Sequence, residues 1–396
     1  MSTFPYVVVI FKWLYIAFNA AFIAWLYFSL RGPGISRLLR VGICLFAVVL
    51  ALALPVARSL SGNAAWIKTI LIVGQFWFAF TYHALLAWIL LCIFRLFNWR
   101  FRWLVIAEED RARWRHQRCA GIVVVSLIVC AAGWINMQYL VVRKEKLPVP
   151  ADVAPLRIVA LSDLHLGRLA SVDVLADVVD LIKPLSPDVV LLLGDILEHD
   201  FDPSEVPAAR AVMQQLKPRL GIWGVMGNHE YIEGKGLLNK NMLNEIGIHM
   251  LLDQWVMLGE KPSEKFMLIG RKDRHAGAKP IQTVIANVPE ADRDALKILL
   301  DHQPSKLKGA EEAGVYLQLS GHTHNGQFFP INFIVSILFE NAYGYYRRGQ
   351  THYWASSGAG AWGPRVRTTG RPEILMIDLI PLPGVQRPSA LQASPK

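Results

Sequence analysis

The chain has 396 residues, of which 53% are hydrophobic and only 18% charged, with a formal charge of +10. That length allows two or three domains, and that balance is too apolar for an ordinary water-soluble enzyme. Residues 1–150 hold 16 Lys/Arg against 4 Asp/Glu, and the remainder holds 25 against 27. Basicity confined to the apolar part reads as membrane orientation, and nucleic acid is not expected as a partner.

Four apolar stretches come first, about Tyr6–Leu30, Leu38–Ala57, Thr69–Phe94 and Ala120–Val142. Each is near the ~20 residues that cross a hydrocarbon core as a helix. Arg-rich connectors separate them, which argues against the buried core of a soluble protein. The expectation is a transmembrane region with four helices over residues 1–146. The first stretch lacks a basic start and a small-residue cleavage site, so it is expected to be retained. The first and third connectors carry ten Lys/Arg, and the opposite face carries Arg58, Lys68, Arg143, Lys144 and Lys146. That bias puts those two connectors in the cytoplasm. In a bacterium the protein is then multi-pass in the inner membrane, with its C-terminal half in the periplasm. Lys12, Asn19, Gln75 and His83 inside the spans read as snorkelling or interhelical bonding rather than a conduction path. Cys44, Cys92, Cys119 and Cys130 all lie in this region without metal-ligand spacing.

Residues 147–155 are Pro-rich and read as a linker. An α/β domain is expected over 156–386, with a disordered tail over 387–396. Leu156–Leu161, Asp188–Leu193, Gly221–Met226, Phe266–Ile269, Lys297–Leu300 and Tyr316–Leu319 look like buried strands. Val172–Lys183 and Pro207–Lys217 look helical.

Several of these strand runs end in polar clusters: Ser162-Asp163-Leu164-His165, Gly194-Asp195, Gly227-Asn228-His229-Glu230, Asp301-His302-Gln303-Pro304 and Ser320-Gly321-His322-Thr323-His324-Asn325-Gly326. Strand ends are where side chains distant in sequence converge in a crevice. Carboxylate, imidazole and amide oxygen donors without thiolates suit two divalent ions, with Mn, Fe or Zn all compatible. A single carboxylate such as Asp195 can bridge such a pair. Water held between two cations ionises near neutral pH and attacks phosphorus in line, while the cations neutralise phosphate oxygens.

In this order the motifs resemble the calcineurin-like metallophosphoesterase superfamily. His322–Gln327, Ser357–Pro364 and Arg371-Pro372-Glu373-Ile374 further resemble its membrane-associated bacterial phosphodiesterase branch. The resemblance implies a β-sandwich flanked by helices. It implies that Asp163, His165 and His324 hold one metal, that Asn228, His302 and His322 hold the other, and that Asp195 bridges. It gives His229 the role of contacting phosphate and protonating the leaving oxygen. Many relatives place an Asp or Asn sooner after Gly-Asp than this chain does, and His199 reads as a solvated loop residue in preference to one that reaches substrate. Asp301 reads either as orienting His302 or as facing solvent, and Arg271, Lys272 and Arg274 either as meeting an anionic substrate or as an exposed basic loop. His249, His275 and His352 read as structural.

The expected function is phosphoester hydrolysis, by a phosphodiesterase or pyrophosphatase acting on a lipid or other membrane-derived phosphate ester. The alternative is a weakly active membrane sensor or scaffold that keeps the fold; a transporter with a regulatory domain lacks a polar path. Ile331–Phe339 is too short to span a bilayer. It reads either as a segment packed beneath the site or as one that dips into lipid and presents substrate.

Overall fold

The computed structural model describes residues 4–388, with side chains from Lys12 onward. The expected tail therefore lies outside the described residues beyond Pro388. The chain forms two units: one runs to Asn136 and includes Gly363–Thr368, and the other holds Met137–Trp362 and the chain from Thr369.

The first unit is helical, with α1 (Phe4–Ser29), α2 (Arg37–Ser59), α3 (Ala65–Phe101) and α4 (Arg111–Met137). Among the described residues, α2, α3 and α4 are long and apolar enough to cross a membrane. Ser36 starts α2 by accepting a hydrogen bond from Leu39 N–H at 3.1 Å, satisfying one unpaired donor of its first turn. Leu45, Phe46 and Val49 on α2 are 60–64% exposed, as a lipid-facing surface requires. The polar residues bond inward. Asn19 accepts from Trp77 Nε1 at 2.7 Å across to α3, and Tyr15 donates to the Ala51 carbonyl at 2.8 Å on α2. His83 Nδ1 lies 2.7 Å from its own helix at the Ala79 carbonyl. The expected fourth stretch is shifted: α4 starts at Arg111, and its apolar tail from Val141 is strand, not helix.

Among the described residues, the second unit contains twelve strands: β1 (Val141–Pro150), β2 (Leu156–Leu161), β3 (Val189–Leu193), β4 (Ile222–Val225), β5 (His249–Met250), β6 (Gln254–Leu258), β7 (Phe266–Gly270), β8 (Leu296–Leu300), β9 (Leu317–Ser320), β10 (Gly344–Arg348), β11 (Thr351–Ala355) and β12 (Glu373–Leu382). Its helices are α5 (Val172–Ile182), α6 (Val206–Met213), α7 (Gly236–Ile246), α8 (Ile281–Val284), α9 (Lys308–Glu312) and α10 (Ile331–Leu338). The strands make two mixed six-stranded sheets, ordered β1-β12-β2-β3-β4-β5 and β10-β11-β9-β8-β7-β6. Within them β2, β3, β4 and β5 run parallel, as do β7, β8, β9 and β11.

Alternate residues explain the layering. Ile158, Ala160, Val189 and Leu191 of the first sheet share one buried cluster with Leu268, Ile298, Leu300 and Leu317 of the second. Val159, Leu161, Val190 and Leu192 point the other way, into a cluster with Val178 of α5, Ala209 of α6 and Leu243 of α7. Met267, Ile269 and Leu299 pack with Val284 of α8 and Ala310 of α9. Each Val, Leu, Ile or Met side chain so buried contributes ~1.5–3 kcal/mol.

Residues 147–150 of the expected linker are instead the end of β1, paired in parallel with β12, and Leu147 and Val149 are core residues. Pro148 and Pro150 are tolerated because β1 is an edge strand, where a missing N–H need not face a neighbour. Only Ala151–Pro155 connects β1 to β2.

Candidate metal centre

The polar clusters occupy one kind of place, the carboxyl ends of parallel strands. Asp163 and His165 follow β2, Asp195 follows β3, Asn228 and His229 follow β4, His302 follows β8, and His322 and His324 follow β9. The backbone is bent to bring them inward. Asp163, His165, Asp195, His322 and His324 all have φ between 50° and 73°, a left-handed conformation costing on the order of 1–3 kcal/mol each. Such strain persists only where surrounding bonds hold it. Gly227 shows how tight the crossing is, because a Cβ there would collide with Asp195 Oδ1.

The structure brings the predicted residues together in three overlapping groups: Asp163, His165 and His324; His165, Asp195 and His229; Asp195, His302 and His322. Within each group one donor atom per residue lies within 4.8 Å of the others. Asp195 and His165 each belong to two groups, and of the two only the carboxylate has two oxygens with which to be shared. His165 Nε2 stands 3.1 Å from His324 Nε2, and Asp163 Oδ1 3.3 Å from the same nitrogen. His302 Nε2 lies 3.3 Å from Asp195 Oδ2. Asn228 is bracketed by Gly227, which abuts Asp195, and by His229, whose N–H donates to Asp195 Oδ1 at 2.9 Å.

Hydrogen bonding decides which ring atoms face the cluster. His302 Nδ1–H donates to the Leu193 carbonyl at 2.7 Å, so Nε2 faces Asp195. His165 Nδ1 is 2.7 Å from Glu198 Oε1, which likewise turns Nε2 inward. His229 Nδ1 pairs with the same Glu198 carboxylate at 3.1 Å. Glu198 therefore orients two of the histidines.

A cation fits this arrangement on the chemistry of the donors. Asn228 Oδ1 and His302 Nε2 are buried without a hydrogen-bond partner. A proton on His302 can relieve one of them, but an amide oxygen only accepts. Burial alone raises a carboxylate, yet the neighbouring histidines outweigh it and hold Asp163 and Asp195 below the usual carboxylate range, His324 leading for Asp163 and His302 for Asp195. His229 is raised to about 10, because Asp195 and Glu198 overcome the burial that opposes its charge. His322 is lowered to about 3 by burial and then by His302. The cluster concentrates acceptors around a point that calls for positive charge.

Several supporting groups escaped the sequence reading. Fully buried Glu230 accepts from the N–H of Asp195 at 3.1 Å, Leu197 at 2.9 Å and Gly227 at 2.7 Å, stapling the β3 exit to the β4 exit. Its position directly after His229 was the available signal. Gly358-Ala359-Gly360 lies against the Asp163 loop, where Ala359 N–H donates to Ser162 O at 2.8 Å and Gly360 N–H to Asp163 O at 2.9 Å. Other expectations need correction. Asp301 neither orients His302 nor faces solvent: it is buried and takes Arg271 Nη1 at 2.6 Å. Arg271 is thereby withdrawn from the proposed exposed loop. His199 is not simply solvated, since its Nδ1 lies 3.3 Å from Glu198. A cavity of about 510 Å³ lined by Met226, Tyr231, Lys240, Leu252, Gln254 and Lys272 opens beyond the β4 exit and is a separate feature.

Residues 156–326 match the family model described as calcineurin-like phosphoesterase. The chain is 30% identical to the transmembrane protein with metallophosphoesterase domain of Bos taurus, over 72% of this chain and 67% of that one. It is 33% identical to a metallophosphoesterase of Helicobacter pylori strain J99, over 57% of this chain and 60% of that one. It is 28% identical to phosphodiesterase YaeI of Escherichia coli K12, over 63% and 90% of the two chains. Against the relatives from cattle and Helicobacter, it spans 60–67% of their length.

Proposed function

Because the chain belongs to the calcineurin-like phosphoesterase family, we propose that it is a metal-dependent phosphoric ester hydrolase, a phosphodiesterase or pyrophosphatase acting on a membrane-borne phosphate ester. The observation that carries this reading is the overlap of three His/Asp groups around Asp195 and His165, with the buried, unpartnered Asn228 Oδ1 one residue before His229. On this reading Asp163, His165 and His324 hold one divalent ion, and Asn228, His302 and His322 hold a second, with Asp195 shared between them. Two bound ions supply charge neutralisation for phosphate oxygens and make an attacking water acidic.

The residues of the chain have their own tasks. Glu198 keeps the Nε2 atoms of His165 and His229 pointing inward. His229, with its Nδ1 proton on Glu198, presents Nε2 within 4.0 Å of Asp195 and holds a proton there for the leaving oxygen. Glu230 fixes the two strand exits so that Asp195 and Asn228 need no rearrangement when substrate arrives. We read the two sheets as a sandwich flanked by helices, with the site above the strand ends. We also assign four membrane spans, the Arg-rich connectors on the cytoplasmic side and the phosphoesterase unit opposite, which in a bacterial inner membrane is the periplasm.

Purified full-length protein with Mn²⁺ is expected to hydrolyse an aryl phosphodiester, and Asp195→Ala or Asn228→Ala to abolish that turnover. Absence of turnover by the parent across Mn²⁺, Fe²⁺ and Zn²⁺ would instead indicate a scaffold that retains the fold.

A further inference from the structure

In the second unit large apolar side chains are mostly buried, and α10 breaks that rule. This helix, Ile331-Asn332-Phe333-Ile334-Val335-Ser336-Ile337-Leu338, has no buried residue and no charge. Phe333 is 58% exposed, Ile334 54%, Ile337 84% and Leu338 71%, and Phe329 just before it is 47% exposed. The first sheet and its helices leave no comparable run: Leu237 and Leu238 of α7 are an isolated pair. A contiguous apolar surface of this kind marks a binding face rather than scatter.

Its position is informative. The α10 helix begins seven residues after His324, and the residue that closes it, Phe339, sets its ring 5.9 Å from that of His322. Both ends of the helix therefore tie to residues of the candidate metal centre. Trp362, 41% exposed, is fixed from the other side: its N–H donates to Gln327 Oε1 and its carbonyl accepts from Gln327 Nε2, both at 2.9 Å. Tyr345 and Arg347 on β10 are exposed as well. Aliphatic and Phe side chains without any acid in the helix, followed in the chain by exposed Tyr345 and Arg347, are the composition of a segment lying in a lipid interface.

We propose that α10 is an interfacial helix that inserts into a phospholipid bilayer and presents lipid-anchored phosphate esters to the metal centre. The inference rests on the hydrolase reading above and adds the source of the substrate. The occupant is a bilayer rather than a partner protein because the same chain carries α2, α3 and α4, each suited to crossing a membrane. A lipid surface is thus permanently within the reach of this unit, whereas a protein partner would have to be recruited. The helix also offers a protein partner no charged contact to fix register, and its exposed polar group Ser336 already donates to the Phe333 carbonyl at 2.8 Å.

Two measurements on the full chain in phosphatidylcholine–phosphatidylglycerol vesicles test this. In a chain with its four native cysteines replaced by serine and Ile337→Cys introduced, an environment-sensitive fluorophore at position 337 should emit as in lipid and be shielded from aqueous iodide. Water-like emission with full iodide quenching would overturn the proposal, and shielding that appears only when a second protein is added would overturn it equally. The second measurement compares hexadecyl para-nitrophenyl phosphate in the bilayer with ethyl para-nitrophenyl phosphate in water, which share one scissile bond. The triple variant Ile334→Ser, Ile337→Ser, Leu338→Ser should lose about tenfold on the hexadecyl ester relative to the ethyl ester. An unchanged ratio sinks the inference. Failure of the parent on the ethyl ester counts against the hydrolase reading instead, while the fluorophore still reports on α10.

Discussion

Asp195 and Glu373 are both buried carboxylates in the second unit, and their surroundings differ in kind. Glu373 is surrounded by donors: Arg143 Nε at 3.0 Å and the Tyr343 hydroxyl at 3.2 Å reach one oxygen, while Ser357 N–H at 3.0 Å and the Ser356 hydroxyl at 3.3 Å reach the other. Its lone pairs are filled by the protein. Asp195 takes the His229 N–H on one oxygen, but its second oxygen faces the inward nitrogen of His302. One buried charge is complete in the fold, whereas the other is met on its second oxygen by imidazole alone and is open to an added cation. Burial by itself therefore does not distinguish structural from functional carboxylates, whereas the sum of donors around each oxygen does.

That difference can be broken by metal titration. Mn²⁺ at about 100 times its Kd should stabilise the parent by ~2.7 kcal/mol, since the ion binds the folded cluster and not the unfolded chain. Thermal unfolding of the full chain with and without chelator reads this shift. Asp195→Asn should remove most of it, because the neutral amide gives up the charge that both groups of ligands share. A full metal-dependent shift in Asp195→Asn would show that the ion binds elsewhere.

Glu373→Gln should behave oppositely. It leaves Arg143 with a weakened partner and places an amide NH₂ among donors, costing about 2 kcal/mol. The Mn²⁺ shift should stay that of the parent, since no atom of Glu373 belongs to the clustered ligands. Loss of the shift together with the stability would mean that the two carboxylates form one network, reached through Gly358, whose carbonyl accepts the Glu373 N–H at 3.0 Å.

The candidate site was legible in the sequence where the fold concentrates its chemistry. Runs such as Leu156–Leu161 and Asp188–Leu193 are apolar because parallel strands covered on both faces have no polar side, and they stop where the polar clusters begin. The edges were not legible. In β1 the sequence Arg143-Lys144-Glu145-Lys146 carries no apolar residue, and its prolines argue for a linker; only pairing with β12, more than 220 residues away, makes it a strand. Arg143 meeting Glu373 is a consequence of that pairing and has no local signature. The Ile331–Phe339 segment shows a different limit. Its composition suits a core or a lipid surface equally, and only its exposure in the fold excludes the core.

Glu198 sharpens the comparison from within, because it is a partly buried carboxylate that braces two of the clustered histidines without belonging to the clustered groups itself. Burial raises its carboxyl, but His229 and then His165 overcome this and hold it well below the ordinary glutamate range. It stays an acceptor, which is what two imidazole N–H groups require of it. Glu198→Gln keeps the shape and offers each ring a weaker partner, and its NH₂ can turn either ring around. Outer partners of ligating histidines are worth about 10–100-fold in metal affinity. The expected result is a Mn²⁺ requirement raised at least about tenfold, with kcat recovered in large part at saturating metal. A loss of kcat that saturating metal does not restore would assign the effect to His229, whose proton Glu198 also holds, rather than to His165. The ratio of the two effects thus measures which histidine Glu198 chiefly serves.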